Sequence, residues 1–536
     1  MNTSDRIYLY DTTLRDGAQT YGVDFSTAEK AALAQALDEW GMDYIEGGWP
    51  GANPTDDALF ESPPVLHHAK LTAFGMTKRR GQSAANDPGL SAVLNSGARH
   101  FCLVGKTWDH QVLNALGLDL EENLENIQHS MAIADSRGEA HFDAEHFFDG
   151  YKANPEYAMR CLRAALDGGA RWVVLCDTNG GTLPHEVNEI VHHVAAEIPG
   201  DKLGIHTHDD TGNAIANTLE AVRAGCRLVQ GTLNGLGERC GNANLVALIP
   251  TLALKMGFAT GLSPDSLKNL GDLSRKLDEI LNREHDPRAP YIGERAFVHK
   301  GGLHASGVQK DPASYEHVDP ALVGNRRTIA VSDQAGRSNI LARFRDLGIE
   351  VDPDDQTVRD VVDQIKQMEA EGYAFESAAA SLEVLVQRKL GHVPEFFTTE
   401  RFSVKDEQRF NVLGQLVTES EATVKIAIDG TVKHSVSEGN GPVNALDNAL
   451  RKALKDFYPQ LEPVQLADYR VRILKPNQAT AAVTRVWVET RDRLNPGAKW
   501  HTLGVSGNII SASYQALCDS YIYKLLRDRM AQVSAA

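Results

Sequence analysis

Over its first half the chain alternates short apolar runs with longer amphipathic stretches. The runs at 7–11, 44–48, 71–74, 100–104, 140–144, 172–176 and 228–231, and the one leading through Ile205 into His206, read as strands. Between them the stretches 27–41, 121–136, 155–168, 184–198, 213–224 and 244–255 repeat apolar residues at helical spacing. In the first, Ala31, Leu33, Ala34 and Leu37 fall on one face and Gly41 is the stop signal. Strand and helix alternate eight times in about 250 residues. The fold class predicted is α/β, a (β/α)8 TIM barrel, with a doubly wound open sheet as the alternative. No Gly-x-Gly-x-x-Gly follows the first strand, so a dinucleotide-binding version of that alternative has little support.

The rhythm changes after Gly257. Stretches 267–283 and 352–372 read as helices, the second burying Val358, Val361, Val362 and Ile365. Between them lie a Gly-rich loop at 297–307 holding His299 and His304, then Asn325-Arg326-Arg327 and the segment 334–339, where arginines either meet phosphates or stay solvated. Residues 391–399 look like a linker. Beyond it strands precede helices, twice: 421–428 with an Asp429-Gly430 hairpin turn, then a helix opened by Gly441; and 481–488 and 500–510, then a helix running to Arg527. The expected division is a catalytic barrel at 1–260, a helical subdomain and linker completing the active site at 261–398, and a C-terminal α+β regulatory and dimerisation domain with an internal repeat at 399–536.

The 536 residues carry a net charge of -18, which argues against nucleic acid or an anionic membrane as a partner. No apolar run is long enough to span a bilayer, and the N-terminus has no signal region. The six cysteines are scattered without a C-x-x-C pair, which suits a reducing cytoplasm.

In a barrel the chemistry sits at the C-terminal strand ends. Here those ends carry Arg15 and Asp16, Glu46, Asp143 and Glu145, Asp177-Thr178-Asn179, His206 and His208, and Gly235 through Asn242. Strand alternation puts His206 and His208 on one face, where two imidazoles can take adjacent positions on a divalent cation. Two imidazoles and a carboxylate leave coordination positions open, and mixed N/O ligation suits Mn, Mg, Zn or Co without choosing among them.

Asp11-Thr12-Thr13-Leu14-Arg15-Asp16-Gly17, His206-Thr207-His208 and Gly241-Asn242 closely resemble the signature of the DRE-TIM metallolyase superfamily. Within it the chain is similar to the 2-isopropylmalate, homocitrate and citramalate synthase group. The phrases through Tyr10–Gly17 and Tyr44–Gly51 look most like the long-form (R)-citramalate synthases, and the resemblance covers essentially the whole chain. It implies a Claisen-type condensation of acetyl-CoA with a 2-oxo acid, followed by thioester hydrolysis. Asp16, His206 and His208 would hold the metal, with Asn242 at or near it. Arg15 would steady charge on the substrate oxygen. Glu145, also counted as catalytic, and Thr178 would contact the oxo acid, and Glu46 joins the substrate-binding set. His304 lies where this group places its general base, with Tyr315 eleven residues on. Isopropylmalate synthases usually carry Asp two residues after that histidine. Here it is Ser306, whose hydroxyl orients an imidazole less strongly.

The expected function is citramalate synthesis from acetyl-CoA and pyruvate on the route to isoleucine, by a cytoplasmic homodimer inhibited by an amino acid, isoleucine. Helix N-termini near Gly441 and Asn508 either receive that amino acid's carboxylate or are ordinary caps. The alternatives are isopropylmalate or homocitrate synthesis from a different oxo acid, a hydroxyacyl-CoA lyase of the same superfamily, and a non-catalytic amino-acid sensor, which the intact polar set speaks against. Phe74, Leu103 and Asp143 are candidates for shaping the oxo-acid pocket.

Overall fold

In the computed structural model, which describes residues 6–300, 302–329, 344, 356–410, 412, 414, 416–474 and 482–535, all eight expected strands are present and close on themselves. They are β1 (Tyr8–Asp11), β2 (Tyr44–Gly48), β3 (Lys70–Met76), β4 (His100–Lys106), β5 (Glu139–Glu145), β6 (Trp172–Asp177), β7 (Leu203–Thr207) and β8 (Leu228–Gly231). Neighbours pair in parallel in chain order. β8 returns to β1 with Leu9 opposite Val229 and Asp11 opposite Gly231, which makes a barrel and excludes the open sheet.

Side chains alternate across each strand. Tyr10, Tyr44, Phe74, Cys102, Trp172, Val174 and Leu228 pack together as the barrel's interior. Leu9, Ile45, Leu103, Phe142, Val173 and Ile205 belong to the larger core shared with the crossover helices. Both faces are therefore buried, which is why the strands read as near-continuous apolar runs. The same phase corrects one expectation. Leu103 lies in the outer layer, and its neighbours Cys102 and Val104 face the interior.

The crossover helices begin where the chain supplies caps. Thr27–Trp40 has a capping box between Ser26 and Glu29 and ends at left-handed Gly41. Asp119 and Asn154 cap Leu120–Asp135 and Pro155–Asp167 through Glu122 N and Tyr157 N. Two further helices, Pro54–Glu61 and Pro88–Leu94, are too short to show a period. Each starts with Pro after a capping residue, Asn53 or Asp87.

The chain forms two compact units, Met1–Phe297 with Glu316–Arg327, and Val298–Tyr315 with Thr328–Ala536. The expected 267–283 helix is Leu270–Ile280, in the first unit. In the second, residues 302–307 of the expected Gly-rich loop instead open a helix, Gly302–Lys310, with Val308 buried. Its glycines hid it from a propensity reading. Helix Gln356–Glu371 buries Val358, Val361, Val362 and Ile365 against Phe375, Leu382 and Val386. Segment 334–339 lies outside the described residues.

The C-terminal part is a repeat of three antiparallel strands and a helix. Thr398–Phe410, Leu416–Ile428 and Thr431–Gly439 precede helix Pro442–Leu454; Val464–Ile473, Thr484–Asp492 and Asn495–Ser506 precede Ile509–Ala535. The first strand of each copy escaped the sequence reading, and Thr398–Phe410 takes up the end of the expected linker. Among the described residues no helix is long and apolar enough to cross a membrane.

One buried ion pair anchors the turn that follows β2. Lys30, on the first crossover helix, bonds the Asp56 carboxylate and the Gly47 carbonyl. Asp56 also accepts from Trp49 N at 2.8 Å and Asn53 Nδ2 at 2.9 Å. Both side chains are almost fully buried, so removing one partner leaves a charge uncompensated. Lys30→Met is expected to destabilise the barrel unit by about 3 kcal/mol. Urea unfolding followed by circular dichroism checks this, and an unchanged midpoint would show that Asp56 is held well enough by its amide donors.

Candidate active site

The turn after β1 is braced before it presents any chemistry. Asp11, fully buried, accepts from Thr13 N at 2.9 Å and Thr13 Oγ1 at 2.7 Å, and Thr13 Oγ1 accepts from Leu233 N at 2.9 Å. Burial pushes the Asp11 carboxyl up to about 7, against the Thr13 hydrogen bonds. Arg15 and Asp16 follow on this fixed turn.

Asp16 meets both histidines of β7's end. His206 Nε2 lies 3.3 Å from Asp16 Oδ2, His208 Nε2 lies 3.9 Å from it, and the two imidazole nitrogens are 3.3 Å apart. All three side chains are buried. Metal–ligand bonds of about 2.0–2.2 Å would place neighbouring donors about 3.0–3.4 Å apart, close to this spacing. Three acceptors gathered this closely need a shared proton or a cation. A fourth donor is at hand: Asn242 Nδ2 donates to Asp16 Oδ2 at 3.2 Å and to Leu236 O at 3.0 Å, while its buried Oδ1 has no hydrogen-bond partner among the described residues. The donor set fits a divalent cation, and Asp16, His206 and His208 form a group able to hold one.

The electrostatics agree. Burial alone would raise the Asp16 carboxyl, but the Arg15 guanidinium and then His206 outweigh it and hold it well below the usual carboxylate range. Burial would lower His206, but its hydrogen bond to Asp16 and the charges of Asp16 and Asp143 raise it. His208, buried beside His206, is pushed down to about 4.

Arg15 is fixed on three sides. Its Nε donates to Glu46 Oε1 at 2.6 Å, its guanidinium carbon sits 3.9 Å from the centre of the Phe74 ring, and NH1 is 3.8 Å from Asp16 Oδ1, beyond hydrogen-bond reach. Glu46 takes a second hydrogen bond from Tyr10 OH at 2.8 Å. A second acidic cluster, Glu46 with Cys102 and Asp143, is less suited to a cation. Arg15 already neutralises Glu46, and burial holds the Cys102 thiol far above its usual range, so it offers no thiolate. Burial, and then Glu46, push Asp143 up to about 6.

The remaining expected residues are placed as follows. Glu145, at the end of β5, pairs with Lys106 Nζ at 2.7 Å. Thr178, just past β6, accepts from the backbone N of His146 at 2.8 Å; His146 is held at φ 57°, a left-handed conformation unusual outside glycine. Arg239 donates to the Thr178 carbonyl at 2.8 Å and to Asp210. His304 and Tyr315 belong to the second unit, where their rings lie 4.3 Å apart and both side chains are exposed.

Sequence reasoning missed Lys106, Tyr10 and Gln230. Lys106 lies two residues past the apolar run read as β4. Gln230 did leave a signal, as a polar residue inside an apolar strand, and it is fully buried. In the second unit Asn508 Oδ1 accepts from Ile510 N at 2.9 Å and Ser511 N at 3.2 Å, so that helix N-terminus is capped by its own chain. A separate cavity of about 600 Å³ is lined by Asn444, Asp447, Arg451, Gln465, Tyr469 and Arg493, among others.

The comparisons with known proteins match this architecture. An HMGL-like family model matches residues 6–273, a homocitrate synthase post-HMGL domain-like model 291–373, and a LeuA allosteric (dimerisation) domain model 376–525. An (R)-citramalate synthase from Aquifex aeolicus is 48% identical over 531 residues, covering 98% of this chain and 99% of its own. One from Geobacter sulfurreducens is also 48% identical, covering 97% of each. The chain belongs to the (R)-citramalate synthase family. A probable 2-isopropylmalate synthase from Methanopyrus kandleri is 31% identical over 96% of this chain and 97% of its own, so this citramalate synthase family member is more similar to the first two.

The geometry sets a test in the metal-free protein. Asp16 contributes most to raising the His206 pKa, ahead of Asp143. A raised histidine stabilises the fold below its unfolded pKa of about 6.5, and that contribution is lost as pH rises through the folded value. In Asp16→Asn burial should dominate, and the His206 pKa should fall below about 6.5. Nitrogen-15 NMR of labelled histidine reads this, and an unshifted His206 would mean that another group raises it.

Proposed function

We infer that this protein is a citramalate synthase: it condenses acetyl-CoA with pyruvate and hydrolyses the thioester, releasing CoA. The observation that carries the reading is the 48% identity to (R)-citramalate synthases over nearly the whole of both chains. The polar set at the barrel mouth gives it a mechanism.

A divalent metal, which Asp16, His206 and His208 would hold with Asn242 beside them, supplies Lewis-acid polarisation of the oxo acid's ketone. The rest falls to the chain. Arg15, locked by Glu46 and Phe74 beside Asp16, stabilises the negative charge that grows on the ketone oxygen. His304 removes a proton from the acetyl methyl group, with Tyr315 against its ring. The resulting carbon bonds to the ketone carbon, the C=O π pair moves to oxygen, and that oxygen takes a proton. Water then breaks the C–S bond and CoA leaves as the thiol. Thr178 and Glu145 contact the oxo acid, Glu145 braced by Lys106.

The division into 1–260, 261–398 and 399–536 is our proposal for how catalysis and regulation are separated along the chain. The LeuA allosteric (dimerisation) domain match supports a homodimer and an amino-acid effector. We assign isoleucine to the 600 Å³ cavity, where Arg493 offers a positive charge, Asn444 and Tyr469 offer polar groups, and Val443, Val464 and Leu466 form an apolar wall, while Asp447 is already paired with Arg451. All six cysteines are unpaired, which supports a reducing cytoplasm.

Released CoA, measured with metal-loaded protein and acetyl-CoA, should require pyruvate. Faster release with 2-oxoisovalerate or 2-oxoglutarate would transfer the reading to isopropylmalate or homocitrate synthesis. Chelation should abolish release, and His304→Ala should lower it about 10²–10⁴-fold; near-normal turnover in that variant would remove His304 from the mechanism. Isoleucine should inhibit, and Tyr469→Ala should raise its half-inhibitory concentration. Unaltered inhibition there would put the effector elsewhere. Point variants suit this test better than truncation near residue 400, because Ala380 and Val384 share one core with Ile426 and Tyr521.

A further inference from the structure

Gln230 stands mid-way along β8, fully buried, and touches two functional strands at once. Its Nε2 lies 3.0 Å from Asp143 Oδ1 on β5, and its Oε1 lies 2.8 Å from His206 Nδ1 on β7. A carboxylate can only accept, so the amide's NH2 must face Asp143. The amide oxygen is then turned toward His206, and the only partner that satisfies it there is an Nδ1–H. A neutral imidazole carries one proton. With that proton on Nδ1, the lone pair sits on Nε2, the atom that faces Asp16 Oδ2 and His208 Nε2. We propose that Gln230, itself oriented by Asp143, is the positioning residue that fixes the tautomer and ring orientation of His206 for metal ligation. His208 has no such support among the described residues: its Nδ1 is buried without a hydrogen-bond partner from any of them. The two imidazoles are therefore unequal, and His206 is the ligand the chain has prepared in advance.

The inference rests on the reading of Asp16, His206 and His208 as the metal centre. Outer hydrogen bonds of this kind are generally worth about 10–100-fold in metal affinity. Cobalt(II) and manganese(II) binding, measured by calorimetry and by the cobalt visible spectrum, tests it on the full chain. In Gln230→Met, nearly isosteric but without the amide, the dissociation constant should rise about 10–100-fold. Turnover at saturating metal should recover much more than turnover at limiting metal. A merely structural role would lower the thermal midpoint and leave affinity and spectrum as they were.

The second variant exchanges the two groups. In the double variant Gln230→Glu with Asp143→Asn, the carboxylate now on β8 accepts from His206 Nδ1, and the amide now on β5 donates to that carboxylate. Affinity should then return to within about threefold of the unmodified protein, well inside the 10–100-fold loss of the single variant. Cobalt binding in Gln230→Met as tight as in the parent, or a double variant no better than the single one, would overturn the proposal. If the unmodified protein binds neither metal, the metal reading itself fails, which is a different result.

Discussion

A buried carboxylate and two buried imidazoles turn acceptor atoms toward one point, with no pair more than 3.9 Å apart. In a low-dielectric interior this crowding opposes folding, and it persists only because the surroundings over-determine each group. Asp16 is held by the charge of Arg15 and by the Asn242 amide. His206 is held by Gln230. The barrel supplies what no local segment can: strand ends 1 and 7 and the loop after strand 8, brought to one rim by closure. Much of the mouth can be understood as the set of donors that this convergence requires.

Arg15 shows the same constraint from the opposite charge. A guanidinium free in solution adapts to any anion. Here it is pinned edge-on by Glu46 and face-on by Phe74, and Glu46 is itself fixed by Tyr10. A cation immobilised before substrate arrives need not reorganise as charge develops, which is where enzymes gain most from electrostatics. The carboxylate that pins it is fully buried, so stability alone would not favour the pair over an apolar one.

The barrel was legible because its cause is local. Strands buried on both faces are continuously apolar, and crossover helices repeat at their own period. The polar rim of the barrel mouth is legible through the rule that loops at strand ends carry the polar residues of a barrel. Where phase matters, the apolar run does not resolve it: Leu103 is expected to shape the pocket, yet its neighbour Cys102 faces inward, and nothing local distinguishes the two. Thr398–Phe410 is a strand of mostly exposed polar residues, so it shows no alternation. The composition of the Gly302–Lys310 helix, with two glycines in nine residues, suggests a loop and so conceals the helix. Gln230 stands out in the sequence only as a polar residue in an apolar strand, and what it does there is hidden for a deeper reason. Its role exists only once strands 5, 7 and 8 face a common interior, a fact of closure and not of any window along the chain.

The Gly-Asn pair of the last loop shows what a sequence signature records. Gly241 has a φ of 93°, which side-chain-bearing residues rarely adopt, and a Cβ there would run into the Gly235 carbonyl. Its N–H closes on Glu238 O at 2.9 Å, while its own carbonyl accepts from Asp209 N at 2.9 Å, just past the two histidines. The next residue, Asn242, takes its N–H to Gly235 O at 3.3 Å, pairs with His208 as an isolated antiparallel bridge, and turns its amide onto Asp16. The glycine thus needs no ligand of its own to belong to the motif. It is the backbone geometry that lets loop 8 close over loop 7 and deliver the asparagine to the cluster, and replacing it would move a donor without touching one.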